Sequence, residues 1–110
     1  MPYEVYLIYS SALDAYKVGV SKNAEKRVAQ LQTGSPFPLE IRGRFRTDKP
    51  FKIEAAMHAS YAQYKWETPF DRMSGEWFKL PVSEVILFES KCGSFEEHMR
   101  FLSESGNPFV

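Results

Sequence analysis

The first third of the chain constrains the fold most strongly, because it combines two short strands with a well-marked helix start. Residues 3–9 are dense in β-branched and aromatic residues and predict a strand. Turn-forming residues occupy 10–14, and a second short strand is predicted over 16–20, so the two strands form a hairpin. Good N-cap residues at 21–23 then predict a helix over residues 24–32. A glycine and a proline that follow it predict the end of that helix.

A third strand is predicted over residues 39–45, where apolar and polar residues alternate. The pattern predicts one apolar face, which consists of Leu39, Ile41 and Phe45. The opposite face is polar and mostly basic, and its row consists of Glu40, Arg42, Arg44 and Arg46. This strand is therefore expected to present a row of positive charge on a single face.

Helices dominate the rest of the chain. The elements predicted next are a helix over 51–65, a loop over 66–74, a short edge strand over 76–80 and a helix over 81–92. Gly93 is expected to interrupt that helix, and Ser94 with Glu97 predicts a capping box for a last helix ending near residue 105. The whole pattern predicts a small α/β (α+β) domain, with an antiparallel-rich sheet covered by helices and a C-terminal helical tail.

Charge is distributed unevenly, although the formal net charge is zero. Residues 17–52 contain nine basic and three acidic residues, whereas residues 67–110 contain eight acidic and four basic residues. Zero net charge argues against a general nucleic-acid coat protein, but the positive half could bind a polyanion at one face. Ordinary solvated surface explains the same distribution, so charge alone leaves both interpretations open.

Cysteine content and hydropathy limit the class of protein further. Cys92 is the single cysteine, so an internal disulfide and a Cys-x-x-Cys zinc pair are excluded. The longest apolar stretch near the start, residues 5–9, is too short to span a membrane, and no basic segment of a signal peptide precedes it. We therefore expect one soluble domain over residues 1–110 that works in the cytoplasm or on the nucleoid.

Two predicted helices carry charged residues beside their apolar faces. In the first helix, Arg27 lies at the margin of the arc formed by Val28 and Leu31, so it must reach solvent or meet an anion. In the second, Glu54 lies beside the apolar stripe, and His58 follows four residues later on the same face. Both side chains can bind a divalent ion, but Mg²⁺ needs only one or two carboxylates, so Glu54 alone would suffice. A solvated helix flank is the alternative for both.

The order of these residues resembles that of the GIY-YIG nuclease superfamily. Residues 4–6 (Glu-Val-Tyr) and 17–19 (Lys-Val-Gly) stand where that family carries its two name-giving triplets. Residues 20–27 resemble the family's passage from strand to helix, which ends on the helix arginine. Glu54 resembles the metal-binding glutamate of the following helix.

Three further stretches are similar to a phage-associated branch of that superfamily, in which the second triplet is KIG-like. They are residues 31–36, 53–58 and 75–80. The resemblance covers residues 3–80 as the core and leaves residues 81–110 as the helical tail. It implies a three-stranded sheet flanked by helices, with one active site on a sheet face.

The resemblance also implies an activity, namely metal-dependent endonucleolytic hydrolysis of DNA phosphodiester bonds. Tyr6 would act as, or assist, the general base on the attacking water, and Arg27 would steady the phosphate. Glu54 would hold a single Mg²⁺ or Mn²⁺ ion on the leaving-group side. A free tyrosine ionises only near pH ~10, so Lys17 and Arg27 are the cations expected to help Tyr6 to ionise.

Three departures from the family pattern concern candidate catalytic residues. Glu4 replaces the first glycine of the first triplet. Lys17 stands where many members have tyrosine, and Tyr16 precedes it, so both are candidates. Leu31 occupies the position of a helix histidine, for which His58 could compensate.

DNA is the expected partner, and four basic residues are candidate contacts with its backbone. They are Lys22, Arg42, Arg44 and Arg46. A domain this small would take its specificity from a homodimer or from a larger partner chain. The alternatives are a non-catalytic nucleic-acid-binding module and a protein-interaction module of the same fold. Glu76 is expected at the surface.

Overall fold

A five-stranded antiparallel sheet forms the centre of the described structure. The computed structural model describes residues 2–35, 37–67, 76–104 and 106. Its elements in chain order are β1 (Tyr3–Ser10), β2 (Ala15–Ser21), α1 (Ala24–Thr33), β3 (Leu39–Thr47), α2 (Pro50–Ser60), a 3-10 turn (Ala62–Tyr64), β4 (Lys65–Trp66), β5 (Trp77–Phe78), α3 (Val82–Ile86) and α4 (Phe88–Glu104). The strands lie in the order β3-β1-β2-β5-β4, and all neighbouring pairs are antiparallel. The predicted α+β fold is therefore confirmed, with five strands among the described residues instead of three.

Local side-chain contacts close the turn between β1 and β2. Asp14 adopts a left-handed backbone conformation with a φ of 49°, which aspartate tolerates better than most residues. Its carboxylate accepts a hydrogen bond from the Tyr9 hydroxyl at 2.9 Å. The Ser10 hydroxyl accepts a hydrogen bond from the Leu13 amide at 3.3 Å. These contacts stabilise the turn of the predicted hairpin.

Alternation along the strands divides the core into two clusters, one on each face of the sheet. Leu7 of β1 packs in the cluster with α2 and α4, whereas its neighbour Ile8 packs in the cluster with α1. The face of the first cluster, called the α2–α4 side below, carries Val5, Leu7, Val18, Ile53, Met57, Tyr61, Phe78, Leu80, Phe88 and Cys92. The face of the second, called the α1 side, carries Tyr6, Ile8, Leu13, Ala15, Ala24, Val28 and Trp77.

A β-bulge in β3 divides the predicted row of basic residues. The register between β1 and β3 shifts at Arg42, so the residues before and after it alternate in opposite phase. Arg44 forms an ion pair with α1 on the α1 side, whereas Arg42 lies over the Tyr9 ring on the opposite side. The predicted apolar face is divided in the same way, because Ile41 packs on the α1 side and Phe45 on the α2–α4 side. The prediction that the three arginines of this strand share one face is therefore wrong.

Gly43 lets α4 approach β3 closely. A Cβ atom at this position would lie 2.6 Å from Cδ1 of the buried Phe88 ring, and one of the two elements would have to move. Phe88 begins α4, and Cys92, one turn later, is also buried. These two residues hold the first half of α4 against the sheet.

The C-terminal helices differ from the predicted ones. α3 ends at Ile86, and α4 then continues through Gly93 without interruption. The Ser94 hydroxyl donates a hydrogen bond to the Ser90 carbonyl at 3.1 Å instead of capping a new helix. The predicted break and capping box are therefore wrong, because packing of α4 against the sheet outweighs the cost of about 1 kcal/mol for one internal glycine.

The segment between α2 and α3 also differs in detail. α2 ends at Ser60 rather than near residue 65. Residues 65–66 form β4, where the end of that helix and the start of a loop were predicted. The predicted edge strand forms as β5, but it lies between β2 and β4. Residues 68–75, which include most of the loop predicted over 66–74, lie outside the described residues. No helix in the described part of the chain is long and apolar enough to cross a membrane.

Candidate active site

The Tyr6 side chain lies over β2, because its partner on that strand is a glycine. Tyr6 pairs with Gly19, and a Cβ atom at Gly19 would overlap the Tyr6 hydroxyl and lie 2.7 Å from ring atom Cε1. Only glycine leaves room for the ring at this point. The phenol oxygen is thereby held over β2 on the α1 side of the sheet.

Lys17 of β2 lies on the same face as Tyr6. It pairs with Ile8, which belongs to the α1 side. Burial lowers the pKa of Lys17 below its usual value; the positive charge of Arg27 lowers it further, and the charge of Glu54 acts in the opposite direction. A half-buried amine with a lowered pKa is a candidate proton acceptor.

Two polar side chains fix the start of α1, and with it the position of Arg27. The Glu4 carboxylate on β1 accepts a hydrogen bond from the Ala24 amide at 2.9 Å. Asn23 caps the helix by accepting a hydrogen bond from the Lys26 amide at 3.0 Å. Arg27 directly follows Lys26 in α1, and its side chain is exposed. Glu4 therefore anchors α1 from the position at which the resemblance expects a glycine.

Burial and hydrogen bonding act in opposite directions on the Tyr6 phenol. Burial raises its pKa above the usual 10.0 and is the largest influence. A hydrogen bond from Arg27 and the positive charge of Arg27 lower the pKa, whereas the negative charge of Glu54 raises it. The net pKa is raised, so Tyr6 is a neutral phenol at neutral pH. Arg27 thus does not offset burial, contrary to the expectation that neighbouring cations would bring Tyr6 towards the phenolate.

Glu54 brings a negative charge to the same place from α2. Its neighbours Ile53 and Met57 are fully buried on the α2–α4 side, and Glu54 itself is half-buried. Its charge acts on both Tyr6 and Lys17, so the carboxylate lies within electrostatic range of both groups although α2 packs on the other face of the sheet. The structure therefore brings four predicted site residues together, called the Tyr6 cluster below: Tyr6, Lys17, Arg27 and Glu54.

The carboxylate of this cluster is the candidate ligand for a divalent metal ion. Among the described residues, Glu54 has no hydrogen-bond or ion-pair partner. In the same part of the chain, no group of three or more His, Cys, Asp and Glu side chains could hold a metal ion. Mg²⁺ commonly takes one or two carboxylates and completes its shell with water and substrate phosphate. The lone carboxylate fits a cation of that type and does not fit a closed protein cage.

His58 lies one turn after Glu54 on α2, at the outer edge of β2. Its Nδ1 atom is 2.8 Å from the Glu76 carboxylate, and its Nε2 atom is 3.2 Å from the Val18 carbonyl oxygen. The hydrogen bond with His58 is the largest influence on Glu76 and lowers its pKa, and Lys65 lowers it further. Sequence patterns carry no signal for this pair, because its members are 18 positions apart and lie on different elements.

Tyr16 and Leu31 lie away from the Tyr6 cluster. Tyr16 packs on the α2–α4 side and stacks with Tyr9, their ring centroids being 4.7 Å apart. It faces away from its neighbour Lys17, because successive residues of a strand point to opposite faces. Leu31 packs against the core of the α1 side. We therefore leave Tyr16 out of the candidate site.

Two of the four candidate DNA contacts lie on the face of the Tyr6 cluster. Arg44 on β3 is the partner of Tyr6 on β1, and Arg46 is the partner of Glu4. Arg44 also forms an ion pair with Glu25 at 2.9 Å. A DNA phosphate at Arg44 would therefore compete with that carboxylate.

The other two candidate DNA contacts lie against aromatic rings. Lys22 lies over the Tyr3 ring at 5.8 Å from its centroid. Arg42 lies over the Tyr9 ring at 4.7 Å, on the sheet face opposite the Tyr6 cluster. The sheet therefore separates Arg42 from Arg44 and Arg46.

The fold and the site together define a small α+β domain with a polar cluster on one face of an antiparallel sheet. The chain belongs to the T5orf172 domain family, whose family model matches residues 4–92. This family is a phage-associated domain related to nuclease-like modules. The match includes every residue of the Tyr6 cluster as well as His58 and Glu76. No curated protein and no solved structure matches the chain.

Proposed function

We propose that this chain is a metal-dependent endonuclease, which hydrolyses DNA phosphodiester bonds by a GIY-YIG-type single-metal mechanism. The observation that carries the proposal is the convergence of the Tyr6 cluster from four separate elements, seen in the mutual effects of its charges. Hydrolysis of a phosphodiester needs a proton acceptor, a cation for the phosphate and a ligand for a metal ion within one pocket. The cluster supplies each of these groups.

Arg27 is the proposed phosphate-binding residue. Its guanidinium is exposed, and its effect on the Tyr6 pKa indicates that it lies beside the phenol. A guanidinium matches the geometry of a phosphate and can donate two parallel hydrogen bonds. A fixed positive charge beside the phosphate stabilises the negative charge that develops in the transition state.

The directions of the pKa shifts favour a division of roles between Lys17 and Tyr6. Burial raises the pKa of Tyr6 and lowers that of Lys17, so the amine is the group that moves towards its neutral form. We therefore propose that the neutral amine of Lys17 accepts the proton of the attacking water, while Tyr6 orients that water through its hydroxyl. The water oxygen then bonds to phosphorus as the bond to the leaving oxygen breaks, and the leaving oxygen takes a proton from solvent.

Glu54 is the proposed ligand of one Mg²⁺ or Mn²⁺ ion. Such an ion supplies positive charge at the phosphate oxygens when substrate is bound. Its remaining ligands would be water and the phosphate itself, since Glu54 is the carboxylate of the cluster.

Nicking of supercoiled plasmid in the presence of Mg²⁺ or Mn²⁺ tests this proposal directly. Glu54→Ala should reduce nicking by at least about 100-fold, because it removes the metal ligand. Glu97→Ala is the matched control, since it removes an exposed glutamate from α4 and should leave nicking unchanged. Wild-type activity in the Glu54 variant would show that the metal-site assignment is wrong.

A non-catalytic nucleic-acid-binding module is the second candidate function. It is favoured by the exposed arginines on the face of the cluster, namely Arg27, Arg44 and Arg46. Salt-dependent binding to DNA without nicking would support this reading. If the protein neither binds nor nicks DNA, a protein-interaction module is favoured instead. In that module, a second copy of the chain or a larger partner chain would occupy the surface of the Tyr6 cluster. If the protein is an endonuclease or a nucleic-acid-binding module, we propose that it works in the cytoplasm or on the nucleoid.

A further inference from the structure

Beside Val18, a side chain completes the outer edge of β2 in the part of the chain that the structure describes. Among the described residues, β5 pairs with β2 only at Tyr16, which lies opposite Phe78. Two residues further along β2, the Val18 carbonyl oxygen lies 3.2 Å from Nε2 of His58. Because a carbonyl only accepts hydrogen bonds, Nε2 is the donor in this contact. The α2 helix is thereby joined to the β2 backbone.

The second ring nitrogen of His58 is also occupied. Nδ1 lies 2.8 Å from one carboxylate oxygen of Glu76, and the other oxygen lies 3.5 Å from Nζ of Lys65. The ring edge packs against Phe78, with centroids 5.5 Å apart. The Glu76 carboxylate also only accepts hydrogen bonds, so Nδ1 donates to it as Nε2 donates to Val18. The imidazole is therefore held at both nitrogens and by its ring. Neither nitrogen is left for a metal ion or for transfer of a proton to substrate.

The hydrogen bond between His58 and the Val18 carbonyl lies close to the elements that carry the Tyr6 cluster. His58 follows Glu54 by one helical turn, so the two side chains lie on one face of α2. Val18 lies between Lys17, whose amine belongs to the cluster, and Gly19, over which the Tyr6 ring lies. A displacement of about 1 Å between catalytic groups can cost on the order of 100-fold in rate. The His58 contact thus lies where it can set the spacing between Glu54 and the β2 residues.

We infer that His58 is a positioning residue, which fixes the α2 helix carrying Glu54 against the β2 segment 17–19 by donating a hydrogen bond to the Val18 carbonyl. Glu76 holds the imidazole in the orientation that this contact needs. The inference rests on the proposed function for its catalytic consequence. It gives His58 a role different from the compensation for Leu31 considered from the sequence.

Two substitutions at His58 separate the hydrogen bond from the packing. His58→Leu keeps much of the volume but has no donor, whereas the side-chain amide of His58→Gln can still donate to the Val18 carbonyl. We expect His58→Leu to lower the kcat of plasmid nicking by about 10–100-fold with less than about a threefold change in KM. His58→Gln should recover most of that loss. Equal losses in the two variants, or full kcat in His58→Leu, would overturn the inference.

A structural readout distinguishes failure of this inference from failure of the nuclease proposal. Backbone amide shifts of Lys17, Gly19 and Glu54 in ¹H–¹⁵N spectra should move in His58→Leu and stay near wild-type values in His58→Gln. Absence of wild-type nicking would refute the nuclease proposal, and the amide shifts would still decide the positioning role. Unchanged shifts at all three residues in folded His58→Leu would refute that role even in an active nuclease.

The Glu76 variants keep the test decisive if His58→Leu fails to fold. Glu76→Ala leaves the donor on His58 but removes the anchor on its other nitrogen, so the same amides should shift and kcat should fall by a smaller factor. Glu76→Gln retains an acceptor for the ring and should behave like wild type. The same shifts and kcat in Glu76→Ala as in wild type would overturn the inference.

Discussion

Replacement of Gly19 by alanine is expected to displace Tyr6 and to destabilise the domain. The new Cβ atom would overlap the Tyr6 hydroxyl and lie 2.7 Å from ring atom Cε1, and the ring has little room to move because Tyr6 is 3% exposed. Overpacking of this kind costs about 1–3 kcal/mol, whereas replacing a strand glycine recovers roughly 0.5–1 kcal/mol. The net loss in the free energy of unfolding is therefore up to about 2.5 kcal/mol, which lowers Tm by up to roughly 10 °C.

Thermal unfolding followed by circular dichroism, together with plasmid nicking, measures both consequences. Nicking should fall by about 100-fold, because the phenol leaves its place beside Lys17 and Arg27. Gly93→Ala is the matched control, since a Cβ atom there would meet Phe45 at an ordinary 3.8 Å and alanine favours the helix by about 1 kcal/mol. An unchanged Tm and full nicking in Gly19→Ala would refute the placement of the Tyr6 ring over Gly19.

Three further predictions concern the α4 contact, the start of α1 and the proton acceptor. Gly43→Ala should lower the free energy of unfolding in urea by about 1–3 kcal/mol, because its Cβ atom would lie 2.6 Å from Phe88; an unchanged urea midpoint would contradict this. Glu4→Ala should cost about 1 kcal/mol in the same assay, since the Ala24 amide loses its acceptor, and Glu4→Gln should recover most of it. The nicking rate should rise with pH and level off below pH 10.5, because the lowered pKa of Lys17 frees its amine earlier than in a free lysine. Lys17→Arg should lose about 10²–10⁴-fold, and an unaltered pH profile in that variant would argue against this role.

The elements predicted well from the sequence are those that depend on short-range patterns. The hairpin formed where alternating strand residues flank turn residues, and α1 begins at Asn23, whose side chain caps it. Strand propensity, turn chemistry and capping act between residues a few positions apart. These features can therefore be predicted from the sequence without knowledge of the rest of the fold.

The candidate site residues were predicted from the resemblance to the GIY-YIG nuclease superfamily. The charges of Arg27 and Glu54 act on both Tyr6 and Lys17, and the catalytic roles of all four residues stay predictions. The sequence did not indicate that burial outweighs Arg27 at the Tyr6 phenol. The exposure of a side chain depends on what the whole fold packs around it, and a local pattern does not contain that information.

By itself, the sequence determined the hairpin, the capped first helix and the polar residues available to a site. Only the tertiary structure decided that Arg42 and Arg44 lie on opposite faces, that α4 passes through Gly93, and that His58 meets Glu76. In each case the deciding energy comes from contacts between residues distant in the chain. A one-residue bulge reverses the faces of a strand, and burial of a helix face outweighs the cost of its internal glycine.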